Sequence, residues 1–201
     1  MKKDILRLGI TLALFAAGAC VALAFVYTIT GPKIAGLESE QLAASLKELF
    51  PEADSFPVIE PTIASADTSV VLAQSYKAIH GSDVVGVAIK AVGKSYGGAA
   101  SMLIGVRTDK HIAGARVLTL SDTPGLGANA VNPAYFVNKS SKTTFMGQFA
   151  GKAVADPFVV EQDVIAISAS TITSKSLTNI LKKASDAGAA WLDANVTGGS
   201  K

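Results

Sequence analysis

The chain has 201 residues, 49% of them hydrophobic, with a formal net charge of +2, two histidines and one cysteine. That length accommodates one ordinary domain and an extra element, and a mean hydropathy of +0.39 asks for a place to bury apolar surface. A charge so small and dispersed, with no basic stripe interleaved with aromatics, excludes a nucleic-acid surface, while a single cysteine excludes an internal disulfide framework and an all-cysteine iron–sulfur site.

From Leu8 to Ile29 the sequence LGITLALFAAGACVALAFVYTI carries no charge. About 20 such residues cross the hydrocarbon core as a helix, and a helix satisfies its own backbone hydrogen bonds there. The string AAGAC at Ala16 to Cys20 partly matches a lipobox, but Ala17 stands where Leu or Val is expected and the apolar run continues past the cysteine. The segment is therefore read as an uncleaved anchor, with Cys20 as a small packing residue. Lys2, Lys3 and Arg7 precede it and only Lys33 follows closely, so the N-terminus is expected in the cytoplasm and the remainder beyond a single-pass cell (inner) membrane.

Thr30, Gly31 and Pro32 are predicted to end this helix, making residues 1–32 the cytoplasmic tip and anchor. Ile34, Leu37, Leu42, Leu46, Leu49 and Phe50 recur on one face over Lys33 to Phe50, opposite Glu38, Glu40, Lys47 and Glu48. That pattern predicts a second, connecting helix over 33–51, stopped at Pro51. Residues 52–201 are then the soluble domain.

Glu52 to Asp67 is rich in Pro, Ser, Ala and acid and reads as irregular, with one short strand around Phe56 to Ile59. Val70 to Ile79 and Val84 to Val92 form a predicted hairpin turning through His80 to Asp83. Ser101 to Thr108 and Ile112 to Leu120 form another, turning at Asp109 and Lys110. His80 and His111 fall in these turns without partners at metal-ligand spacing. Four strands in series with helices on either side predict an α+β domain built on an antiparallel sheet.

Two glycine-bearing loops adjoin the strands. Tyr96, Gly97, Gly98, Ala99 and Ala100 separate the hairpins and read as a turn that uses glycine's backbone freedom. Ser121 to Asn129, SDTPGLGAN, contains Pro124 and Gly125, the ordinary signature of a type II turn. No G-K-[ST] or G-x-G-x-x-G is present to make either a dinucleotide loop. Tyr135, Phe136, Phe145 and Phe149 read as core aromatics, ending in FAGK at Phe149 to Lys152.

The last motif is DVIAISASTITSK, Asp163 to Lys175. Its branched apolar start predicts a strand over Asp163 to Ile167, its hydroxyl-rich centre an elbow, and Leu177, Ile180, Leu181 and Ala184 a helix. Such an elbow leaves the first N–H groups of the helix unpaired at the positive end of its dipole, ready for a phosphate. By pattern alone, Thr171 or Thr173 also reads as a simple cap. Thr197 to Lys201 is a low-complexity tail. No Ser-His-acid set, paired-carboxylate cleft or metal cluster can be assembled, so hydrolytic catalysis has no candidate residues.

Taken in order, AISASTITSK, DTPGLG, the Tyr96–Gly97–Gly98 turn and FAGK resemble the FMN-binding domain family. This domain occurs in the G subunit of Rnf-type complexes and in its sibling, the C subunit of sodium-translocating NADH:quinone reductase. The resemblance covers essentially the whole chain. It implies FMN joined by a phosphoester to Thr171, with Thr173 the second choice, attached by a separate flavin transferase. Ser168, Ala169, Ser170, Ser174 and Lys175 would surround the phosphate. Asp122, Thr123, Gly125 and Leu126, whose backbone N–H groups are expected to face the ring, would join Tyr96 and Gly97 beside it.

Two departures stand out. Ala169 and Ser170 replace the family's Gly-Ala, and if position 169 is left-handed, alanine there costs about 1–2 kcal/mol. The family's acidic residue ahead of the motif has no match at its spacing, because Asp163 lies two positions early. The implied function is electron transfer within a membrane-bound Rnf-type complex coupling ferredoxin and NAD chemistry to ion movement, with its other subunits and membrane lipid as partners. The C-type subunit of sodium-translocating NADH:quinone reductase is one alternative, and a membrane-anchored assembly or binding module that kept the fold without the flavin is another, from a different class.

Overall fold

The computed structural model describes residues 2–65 and 68–196; the predicted tail at 197–201 and the end of the irregular stretch at 66–67 lie outside them. A first helix, α1, spans Lys2–Leu49 and carries Pro32 in its interior. The predicted break at Pro32 is thus corrected. Proline removes one donor, that to the Thr28 carbonyl four residues earlier, and the helical pattern on both sides carries the element through it. Nearby, Thr28 Oγ1 donates to the Phe25 carbonyl at 2.8 Å and Thr30 Oγ1 to that of Val26 at 2.7 Å.

The chain divides into two compact units, Met1–Ala43 and Ala44–Lys201. The first unit is one apolar helix with its side chains exposed, and it is long and apolar enough to cross a membrane. The large Leu, Phe and Val side chains exposed along it form the apolar surface that a membrane-crossing helix presents to lipid.

In the second unit the strands follow the alternation of branched residues closely. β1 (Val70–His80), β2 (Asp83–Ser95), β3 (Gly98–Arg107) and β4 (Ile112–Thr119) form one antiparallel sheet in the order β1-β2-β3-β4. The turn between β2 and β3 is two residues, Tyr96 and Gly97, so Ala99 and Ala100 belong to β3 and not to a loop. The stretch before β1 runs along its edge, with Val58 bridged to Tyr76 and Ile59 N–H donating to the Ser75 carbonyl at 2.8 Å. A small ribbon, β5 (Phe136–Asn138) and β6 (Thr143–Thr144), follows.

The last helix, α2, spans Thr171–Asn195 and covers one face of the sheet. Val87 pairs with Val106 and Ile89 with Ile104, and alternation sends these side chains to the same face. They pack there with Leu177, Ile180, Leu181 and Ala184, all buried as the spacing predicts. Each large aliphatic side chain so removed from water contributes about 1.5–3 kcal/mol. Phe145, Phe149 and Phe158 extend this core as edge-on pairs with centroids 5.6 and 5.9 Å apart.

Residues 163–167 are not a sheet strand. Val164 makes one isolated bridge to Val160 and Ile165 is exposed. The backbone at Ile165 is satisfied by a side chain: its N–H donates to Gln148 Oε1 at 2.8 Å, and Gln148 Nε2 donates to its carbonyl at 3.1 Å. A short apolar run needs no ladder when a side-chain amide supplies both partners.

Candidate functional site

The elbow forms at the start of α2. The Ile167 carbonyl closes a turn by accepting Ser170 N–H at 3.0 Å, and Ala169 takes φ +58°. The left-handed condition raised by the sequence is therefore met, at an alanine. Ala169→Gly should raise the stability of the folded domain by about 1 kcal/mol, the relief of about 1–2 kcal/mol offset by glycine's greater freedom when unfolded. A urea midpoint that moves up at unchanged m-value is the expected reading.

Ser170, not Thr171 or Thr173, occupies the cap position, and its side chain makes no capping hydrogen bond. Its hydroxyl is buried and without a partner among the described residues. Ser174 works from the other side: Oγ accepts Ile167 N–H and donates to the Ser170 carbonyl, both at 2.9 Å. The Ser174 N–H is already spent on the Ser170 carbonyl at 3.0 Å, so it is not among the open donors expected there. The open end of the helix consists of the N–H groups of Thr171, Ile172 and Thr173.

A cavity of about 430 Å³ lies against this end, lined by Tyr96, Thr123, Leu126, Gly127 and residues 169–173. Its volume is in the range of small-molecule sites. Of the predicted residues, Tyr96, Thr123, Leu126, Ala169, Ser170, Thr171 and Thr173 line it. Ser168, Ser174, Lys175, Asp122, Gly97 and Gly125 do not. Gly127 and Ile172 line it without having been predicted. A larger groove of about 1060 Å³ between residues 58–65 and the far half of α2 includes none of the predicted residues.

Gly125 takes φ +76° behind Pro124, and Leu126 N–H closes the turn on the Thr123 carbonyl at 3.1 Å, as the Pro-Gly signature requires. Ala128 N–H donates to the same carbonyl at 3.2 Å. These two N–H groups are thus engaged within the loop instead of facing a cofactor. Leu126 and Tyr96 present exposed apolar side chains from opposite loops.

Behind the cavity wall sits Asp122, 6% exposed. Its Oδ2 accepts Ser95 Oγ at 2.8 Å and Thr173 Oγ1 at 2.5 Å, and its Oδ1 accepts Gly97 N–H at 2.7 Å. Burial pushes its pKa up, but the hydrogen bonds from Thr173, Gly97 and Ser95 outweigh that and hold it below the ordinary carboxylate range. The neighbouring glycines make the approach: a Cβ on Gly97 would collide with the Ser121 carbonyl, and one on Gly127 would lie 2.5 Å from Thr173 Oγ1 and 2.7 Å from Asp122 Oδ2.

Asp163 holds a different place from that of a motif acid. Its carboxylate accepts Phe158 N–H at 3.1 Å and Val159 N–H at 2.5 Å and lies 3.4 Å from Lys152 Nζ, so the lysine of FAGK braces the loop leading to the elbow. Burial raises its pKa, and the Val159 N–H, the Lys152 charge and the Phe158 N–H outweigh it downward. A carboxylate depressed on folding contributes stability above its unfolded value of about 3.9 and loses it as pH falls through the lower folded value. The urea midpoint should hold from about pH 7 to 5 and fall below about pH 4.

Tyr135 was not distinguishable from its aromatic neighbours in sequence, yet its hydroxyl accepts Ser168 N–H at 3.1 Å and fixes the elbow from outside. An unpartnered buried hydroxyl, an uncapped helix end and apolar walls together fit an anionic group carrying a flat apolar ring.

The FMN-binding domain model matches residues 95–186, which contain all of these elements, and the RnfG N-terminal region model matches residues 1–49. The G subunit of an ion-translocating oxidoreductase complex from Methanosarcina acetivorans is 32% identical over 92% of this chain and 94% of its own. Its counterpart in a proton-translocating ferredoxin:NAD(+) oxidoreductase complex from Clostridium ljungdahlii is 30% identical over 88% of this chain and 86% of its own. Among solved structures, NqrC of Shewanella oneidensis aligns with a TM-score of 0.47 at 17% identity, over 73% of this chain and 74% of that one. The chain belongs to the RnfG family, the G subunits of ion-translocating oxidoreductase complexes, and carries that family's FMN-binding domain.

Proposed function

We propose that this protein is an electron-transfer subunit of a membrane-bound ion-translocating complex and carries FMN as a phosphoester on Thr171. The observation that carries the reading is the placement of one hydroxyl. Thr171 lines the cavity, half-buried, with no hydrogen bond from its side chain to the described residues, at the open N-terminus of a 25-residue helix. The single negative charge left on a phosphodiester at such a position is stabilised by about 0.3–1 kcal/mol, and by up to about 2 kcal/mol where partly buried. Ser170 Oγ supplies a donor that has no other use.

In the joining step the Thr171 Oγ1–P bond forms as a P–O bond of an activated flavin nucleotide breaks. A nucleotide leaves, and the threonine proton passes to a base of the flavin transferase. Bound FMN supplies one- or two-electron transfer. Tyr96 and Leu126 give it apolar walls, and Thr123 offers a hydroxyl to its polar edge. Lys175, exposed on the first turns of α2, adds a positive charge at longer range.

Relatives named as subunits of proton- and Na(+)-translocating ferredoxin:NAD(+) oxidoreductase complexes support the same assignment here, with the other Rnf-type subunits as partners and lipid around α1. The basic residues before the span favour a cytoplasmic N-terminus and a flavin domain on the opposite face. Co-expression of the full chain with a flavin transferase should give a fluorescent band at its mass in a denaturing gel. A dark band at full expression contradicts the reading.

A further inference from the structure

Asp122 aligns with an acid of the motif that resembles a cofactor loop, yet its carboxylate does not line the cavity. It stands behind the wall and accepts three donors from three separate segments: Ser95 at the end of β2, Gly97 in the β2–β3 turn and Thr173 in the first turn of α2. Each donor belongs to or adjoins a cavity residue. Tyr96 lies between Ser95 and Gly97; Thr123 follows Asp122 in its own loop; Thr171 and Ile172 precede Thr173. Gly127 closes over the Thr173–Asp122 contact from the remaining side. One carboxylate therefore sets the spacing of every wall.

The same contact separates two hydroxyls that the sequence leaves nearly equivalent. Thr173 Oγ1 donates to Asp122 at 2.5 Å from a residue 3% exposed, whereas the Thr171 hydroxyl has no partner among the described residues. We infer that Asp122 is a positioning residue that reserves the Thr173 hydroxyl and locks the first turn of α2 to the β2–β3 turn, so that Thr171 alone is presented for modification. This rests on the proposal that Thr171 carries the flavin. A carboxylate, with acceptors only, suits the task. An amide of the same size keeps only one acceptor oxygen and puts an N–H2 in place of the other, so the Ser95 and Thr173 hydroxyls, or the Gly97 N–H, would have to give up the donations they make to Asp122.

The test uses the full chain in detergent, with and without co-expressed flavin transferase. Thr173→Val keeps the volume of a buried side chain and removes one arm of the knot. In the loaded protein, peptide mapping should find the flavin still on Thr171 but at about a tenth of the wild-type yield or less, since a displacement of about 1 Å costs about a hundredfold in rate. The unloaded variant should keep a cooperative thermal transition. Full yield on Thr171 in Thr173→Val overturns the inference. Asp122→Asn should lose the label or spread it onto Thr173, and full, exclusive labelling of Thr171 in a folded Asp122→Asn chain also overturns it.

Wild-type protein without any label would sink the Thr171 reading instead, and the knot is then read in the unloaded chain. Amide exchange at Gly97 should be about tenfold faster in Thr173→Val than in wild type, because without the Thr173 hydroxyl the Asp122 carboxylate is no longer held against α2 and its bond to the Gly97 N–H opens more readily. Equal exchange rates would show that the two segments are not coupled through Asp122.

Discussion

Thr171→Ala is expected to abolish covalent flavin, leaving a dark band in a denaturing gel and an unmodified polypeptide, while Thr171→Ser retains the label. The two variants differ by one hydroxyl at a position that is half-buried and unbonded to the rest of the described chain, so neither fold nor expression should suffer. Serine keeps the nucleophilic oxygen at the helix end and loses only a methyl group. Alanine leaves the open N–H groups of α2 and the Ser170 hydroxyl in place, so FMN without a covalent bond should still associate weakly, but it would be removed by denaturant. Colour retained in Thr171→Ala and lost in Thr173→Ala would move the attachment to the second threonine and would also dismantle the role assigned to Asp122.

The largest expected loss of stability is at Phe50. Its side chain is fully buried, at the point where the chain leaves α1, and its ring lies over the two glycines at positions 86 and 105. Gly86 and Gly105 share the face of the sheet opposite α2, as their pairing with Arg107 and Ala88 requires. The ring fills space that those strands provide by lacking side chains. Phe50→Ala leaves a cavity there that the sheet cannot close, at a cost of about 3–5 kcal/mol. That corresponds to a fall in thermal midpoint of about 6–20 °C for a domain of this size. A calorimetric midpoint within about 2 °C of wild type would mean that the sheet face is covered by something other than Phe50.

Much of this was legible in the residues. Alternating Val and Ile placed the four strands within a few residues of their ends, since a half-buried sheet leaves a period-two record. The helical spacing of Leu177, Ile180, Leu181 and Ala184 placed the buried face of α2. Pro124 and Gly125 gave the turn and its closing hydrogen bond. Phe50 was placed on an apolar helical face, although its partners, two glycines, carry no hydrophobic signal.

What escaped the sequence depends on contacts between distant residues. Pro32 is a local stop signal, and nothing local reveals that a helix of this length absorbs the loss of one hydrogen bond. Asp163 to Ile167 has the composition of a strand, but its backbone is satisfied by Gln148 and its acid by two N–H groups and Lys152, so it needs no neighbour in a sheet. The knot at Asp122 joins Ser95, Gly97 and Thr173 across 25 to 51 residues of sequence. A single acidic letter ahead of a Pro-Gly turn does not announce that it will be buried behind the site and not within it. Ala169 is a partial case: its chemistry stated the cost of a left-handed backbone, and only the folded elbow supplied the angle.

The most direct measurement is the intact mass of the full chain purified after co-expression with a flavin transferase, followed by mapping of the modified peptide. The mass should rise by one FMN less one water, carried by the peptide that contains Thr171 and absent from Thr171→Ala. A polypeptide of unmodified mass, produced beside a transferase that labels another substrate in the same cells, would contradict the attachment on which the proposed function depends.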